Sequence, residues 1–113
     1  MKRLLATIAA GIFAMGLTAT AFADGAKTFK KKCATCHGKD GKGDTKMGKK
    51  LKIKDLTDPK VQDAITDEGI IKQITNGSKD KETGKVKMPP MGKKLTAEQI
   101  KELVPVVRAF KGK

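Results

Sequence analysis

The segment Cys33-Ala34-Thr35-Cys36-His37 sets two thiols three residues apart, with an imidazole directly after the second. On a helical turn, residues i and i+3 share one side. Both sulfurs can then reach the two vinyl groups on one edge of a haem and form thioethers. The imidazole falls beneath the ring, where a neutral nitrogen can bind iron. C-x-x-C-H is the attachment pattern of haem c. His37 is the only histidine in the chain, so no second imidazole competes. Other chemistries suit these residues less well. A thioredoxin-like thiol pair expects a βαβ pattern around C-x-x-C, and no segment here reads convincingly as a strand. Structural zinc needs four ligands, and two cysteines and one histidine fall short. A disulfide between Cys33 and Cys36 would close a very small loop and constrain the unfolded chain little.

If His37 binds iron from one side, the opposite side calls for a second ligand. The candidates are Met47, Met88, Met91 and the lysines. A thioether suits a haem that only passes electrons, and His/Met ligation raises its potential. A lysine must first lose a proton. In "KVKMPPMGKKL" (85–95), Pro89 pushes Met88 out of the helical region, and two prolines stiffen the stretch that carries it. Met88 is therefore the expected ligand, ahead of Met91 and then Met47. The competing role for either methionine is to fill gaps beside the ring.

These groups need elements to position them, and the pattern gives four helices and no repeat. Ala26, Phe29, Cys33 and Cys36 recur on one helical face, which predicts a helix from about Gly25 to His37 with Phe29 on the haem side. Gly38 to Lys50, rich in glycine and lysine, reads as a loop. A short helix is expected at Asp58-Pro59, Asp as cap and Pro first inside. A third begins near Thr66, has acids in its first turn, carries Ile70, Ile71 and Ile74, and ends at Asn76-Gly77. Ser78 to Val86 reads as polar and mobile. The last helix opens with Thr96 and Gln99 as a capping box. Ile100, Leu103, Val104, Val107 and Phe110 form its buried stripe. Pro105 removes a backbone hydrogen bond inside it, at about 3 kcal/mol, and predicts a bend or break on the solvent side.

The amino-terminal end has a different character. A basic head (Met1-Lys2-Arg3), an apolar run over Leu4 to Leu17 and Ala21-Phe22-Ala23 read as a secretory signal peptide cleaved after Ala23. The apolar core is short for a membrane span. Cleavage would leave a single domain over 24–113 with a net charge of +11, since only Lys2 and Arg3 leave from the chain's +13. That domain contains two aromatics, Phe29 and Phe110. So small and aromatic-poor a chain struggles to bury enough apolar surface unaided, which again points to a cofactor as part of the core.

With "GAKTFKKKCATCHG" near the mature start, "ITNG", then "KMPPM" followed by "KLTAEQIKELV", residues 24–113 resemble a small class I c-type cytochrome, close to the bacterial monohaem and cytochrome c6-like members. The resemblance implies an all-α cytochrome c fold. Its helices wrap around one covalently attached haem c, with the first and last helices crossing where Gly25 lets them approach. It also implies Cys33, Cys36, His37 and Met88 as the cofactor-binding residues, His37 and Met88 holding iron. The expected function is a monomeric periplasmic electron carrier, not an enzyme, meeting acidic redox partners through transient, salt-sensitive contacts. Export and the lack of aromatic platforms speak against nucleic acid. The alternatives are a haem sensor or ligand-binding enzyme with Met88 as a removable ligand, and an electron-entry subunit of a larger oxidoreductase.

Overall fold

The computed structural model describes residues 20–113. The expected signal peptide therefore lies, apart from 20–23, outside the described residues. Helix α1 occupies 20–32, followed by α2 (Ala34–His37), α3 (Lys46–Leu51), α4 (Pro59–Ala64) and α5 (Asp67–Asn76). Two short strands, β1 (Ser78–Lys79) and β2 (Val86–Met88), precede α6 (Ala97–Ala109).

The amphipathic segment expected as one helix is stepped at Cys33, whose φ of −117° departs from helical values. Hydrogen bonds still run through the step, from the Cys33 N–H to the Phe29 carbonyl (2.8 Å) and from the His37 N–H to the Cys33 carbonyl (2.9 Å). The face carrying Phe29 and Cys33 therefore stays aligned, and both residues are buried.

Side-chain caps set the other helix starts. The Asp58 carboxylate accepts from the Lys60 N–H with Pro59 at the first helical position. The Thr66 hydroxyl accepts from Gly69 N–H. Thr96 and Gln99 form the reciprocal capping box, at 3.1 and 2.9 Å. All three match the expected starts. Helix α3 does not: it lies inside the stretch read as loop. Its cap is Thr45, which accepts from the Gly48 N–H at 2.8 Å and donates to the Cys36 carbonyl at 2.7 Å. Ser78 to Val86, read as mobile, instead forms with Lys87 and Met88 an antiparallel hairpin pairing Ser78 with Met88 and Lys79 with Val86. Its turn is tied by the Asp80 carboxylate, which accepts the Glu82 and Thr83 N–H groups.

Helix α6 continues through Pro105 without the expected break. Pro105 and Lys101 are both exposed, so the hydrogen bond lost to the proline belongs to the solvent side of the helix. The buried side of α6 is Ile100, Leu103, Val106 and Val107, with Val104 only half-buried. They pack with Phe29, Ile70, Ile74, Met91 and Leu95.

Helix α6 is held at both ends of the fold. A Cβ at Gly25 would run into the carbonyl of Glu102, and lies 3.2 Å from Val106 Cγ2. Only glycine permits that crossing. At the other end the buried Gln62 donates to the Leu56 and Val107 carbonyls (2.7 and 2.8 Å). Arg108 donates to the Gln62 carbonyl and side chain, the Ile65 carbonyl and the Asp67 carboxylate. These bonds fasten α6 to the α4–α5 corner and close one end of an interior space.

Candidate functional site

That space is a cavity of about 270 Å³ between α1–α2, the 52–56 segment, α5 and the chain from β2 to Met91. Cys33, Cys36 and His37 line one part of its wall; Met88, Pro89 and Met91 line another. All four predicted site residues thus reach one cavity. The third methionine, Met47, sits on α3 with 39% of its surface exposed and outside the lining, so it drops out as a candidate.

The two thiols are free. Cys33 is buried and Cys36 half-buried. Burial, and then the nearby Cys36 sulfur, push the Cys33 thiol up to about 11, so it stays protonated near neutral pH. Each thiol would supply the sulfur and the proton that a thioether link to a vinyl group needs, the sulfur bonding one carbon and the proton going to the other. His37 follows on the same turn. Burial lowers its pKa, which favours the neutral imidazole that a metal requires. Its Nδ1 is buried without a hydrogen-bond partner, an arrangement costly for a purely structural residue. The Phe29 ring lines this wall, 6.1 Å from the imidazole and 5.1 Å from Phe110, centroid to centroid, so Phe110 backs it from outside the cavity.

The methionines differ in setting. Met91 is in the core, 6% exposed, with its N–H donated to the Ile74 carbonyl and its carbonyl accepting from Leu95. Met88 is half-buried at the end of β2, with the Gln73 Nε2 donor 4.0 Å from its sulfur. Gly77 (φ +70°) hugs this strand, and a Cβ there would strike the Met88 carbonyl. Sequence patterns alone did not reveal Gln73 as a neighbour of Met88; the contact depends on the hairpin folding back along α5.

Paired thiols, an unpartnered buried imidazole and facing thioethers in a mainly apolar cavity fit a haem bound through both sulfurs. Among the described residues no three His, Cys, Asp or Glu side chains gather into a set that could hold a metal ion by themselves.

Comparison with known proteins agrees with this chemistry. Residues 20–105 match the family described as cytochrome C oxidase, cbb3-type, subunit III. Cytochrome c6 of Rippkaea orientalis is 38% identical over 115 residues, covering 96% of this chain and 94% of that protein. The cbb3-type cytochrome c oxidase subunit FixP of Azorhizobium caulinodans is 38% identical over 88 residues. They make up 78% of this chain, which spans only 27% of that longer relative. Among solved structures, the KustC0563 c-type cytochrome superposes with a TM-score of 0.67 at 41% identity, covering 77% of this chain and 96% of that one. A single-residue variant of it gives 0.66 at 43% identity, with 78% and 99% covered.

Proposed function

The chain belongs to the cytochrome c family, as a small class I c-type cytochrome with covalently bound haem c and iron, and from that premise we propose that it is a periplasmic one-electron carrier whose haem is held by Cys33, Cys36, His37 and Met88. The observation that carries this reading is the convergence of those four side chains on one cavity. The haem supplies reversible one-electron exchange at its iron. The chain's own groups hold and shield it. Cys33 and Cys36 anchor one edge. His37 would offer the iron a neutral nitrogen, and Met88, at the end of β2, would offer it a thioether. Phe29, Ile70 and Leu103 keep water from the cavity. Met88 is preferred to Met91 because the latter is already packed between α5 and α6. Met88 ends a strand whose direction Pro89 fixes.

Export by a leader cleaved after Ala23 places this chemistry in the periplasm, and among the described residues no helix is long and apolar enough to cross a membrane. The +11 charge of residues 24–113 favours brief, salt-sensitive encounters with acidic redox proteins. A second reading, a module that feeds electrons into a larger oxidoreductase, is favoured by the match to an oxidase-subunit family.

The test is the exported protein itself. One haem added to the mass of residues 24–113, and a low-spin oxidised spectrum with the weak long-wavelength sulfur-to-iron band, are expected. A high-spin spectrum, or ready binding of carbon monoxide by the reduced protein, would exclude the carrier in favour of a sensor. Stable co-purification with an oxidase would support the second reading.

A further inference from the structure

The cavity wall carries four lysines, Lys32, Lys52, Lys54 and Lys87, and no aspartate or glutamate. Lys32, Lys52 and Lys54 are exposed and Lys87 is half-buried, so these cations stand at the rim of a mainly apolar space, where an anionic group of its occupant would find partners. The haem brings two carboxylates, its propionates, on the edge opposite the vinyl groups that bind Cys33 and Cys36. Lys32 directly precedes Cys33 and so stands at the thioether side. Lys52 and Lys87 belong elsewhere. Lys87 lies on β2, and the Asp80 carboxylate at the head of the hairpin feels both Lys87 and Lys52. Both line the cavity on elements other than α1 and α2, Lys52 directly after α3 and Lys87 on β2.

Three further facts bear on them. Lys52 ends α3 at φ +55°, the only non-glycine residue with positive φ among the described residues. A β-carbon in that region is disfavoured, so the backbone there is held by its surroundings. Neither lysine enters the ion pairs found among the described residues, which join Lys49 to Asp44, Arg108 to Asp67 and Lys111 to Asp63. Arg108, the one arginine of 24–113, would be the natural fork for a carboxylate. Its donors are already committed to Gln62, Ile65 and Asp67.

We propose that Lys52 and Lys87 bind the haem propionates with charge-assisted hydrogen bonds. The assignment rests on the haem reading above. Asp80 does not hold them at contact range: it enters none of the ion pairs found among the described residues, and its Oδ1 accepts from the Glu82 and Thr83 N–H groups.

The test uses the haem-loaded protein, with Lys52→Asn (asparagine tolerates positive φ), Lys87→Gln, the charge-preserving Lys87→Arg, and Lys101→Gln on the exposed side of α6 as control. Resonance Raman reads the propionate-bending band, and redox titration at fixed pH reads the midpoint potential. In Lys52→Asn and in Lys87→Gln the bending band shifts and the potential falls, since a nearby cation favours the less positive reduced haem. Lys87→Arg and Lys101→Gln stay close to the parent. An unmoved bending band in either charge-removing variant overturns the assignment, even where the potential falls. The sulfur band and haem mass of the same samples report separately on the parent reading. Their presence beside an unmoved Raman band refutes the lysine pair alone. Their absence from the unsubstituted protein refutes both.

Discussion

At the scale of single residues, the proposed ligation gives the two methionines of "KMPPM" distinct duties, and substitution separates them. Met88→Ala removes the thioether offered to the metal, so the long-wavelength sulfur band is lost and the midpoint potential drops. The fold persists, since Met88 is only half-buried. Met91→Ala instead hollows the core, where Met91 is 6% exposed among Ile74, Leu95 and their neighbours. It costs about 2–5 kcal/mol in denaturant unfolding and leaves the sulfur band in place. Loss of the band in Met91→Ala with its retention in Met88→Ala would reverse the assignment. The residues proposed for attachment were readable at this scale because the chemistry they offer is local: Cys33, Cys36 and His37 present a spacing visible in five consecutive letters. Met88 was reachable through Pro89, whose steric effect is also local. Lys52, Lys87 and Gln73 were not, because what brings them to the cavity is a hairpin and a left-handed helix end that no short pattern announces.

Between elements, the decisive contacts are those that set α1 against α6 and the hairpin against α5. A Cβ at Gly25 meets the Glu102 backbone, which cannot swing aside as a flexible side chain would. Gly25→Ala should therefore force the helices apart and destabilise the protein by about 1–3 kcal/mol, read as a lower midpoint in denaturant. Unchanged stability would mean that the crossing is not tight. For the hairpin, the Asp80 pKa is lowered by the Thr83 and Glu82 N–H groups, with Lys87 and Lys52 adding a smaller effect. A carboxyl depressed in the folded state contributes stability above its unfolded pKa and loses it as pH falls through the folded one. Acidification below the ordinary carboxylate range should loosen the turn, seen as faster exchange of the 80–88 amides. In Asp80→Ala these amides exchange fast at neutral pH already; slow exchange there would show that the carboxylate does not hold the turn. Most helix starts were legible because Asp58, Thr66 and Thr96 cap with their own side chains. Helix α3 was hidden because glycines and lysines surround Thr45. Pro105 misled because the penalty for an interior proline depends on whether the orphaned carbonyl meets water, and sequence alone does not say which way it faces.

Over the whole molecule, charge and cofactor answer for what a small core cannot. The +11 charge of residues 24–113 should steer encounters with an acidic redox protein, so the bimolecular electron-transfer rate falls steeply as salt shortens the Debye length toward 8–10 Å. A rate independent of ionic strength would leave the lysines as solubilising groups only. Stability is the deeper dependence. Among the described residues the buried apolar set comprises ten, and the cavity of about 270 Å³ opens directly onto several of them, Phe29, Cys33, Ile70, Ile74, Met91 and Leu103 included. Without a haem, the inner faces of α5 and α6 border water or a void, and His37 keeps an unpartnered buried nitrogen. Helices of four to ten residues, such as α2 to α5, are too short to persist alone in water. The Cys33→Ser/Cys36→Ser variant, exported without attached haem, should therefore lose most of its far-UV helical signal and exchange its α5 and α6 amides rapidly. The Gln62–Arg108 clamp cannot compensate, since it fastens one corner and leaves the cavity wall unsupported. A haem-free variant with native-like helicity and slow exchange in α6 would show that the polypeptide core suffices and that the cofactor adds redox chemistry without holding the fold.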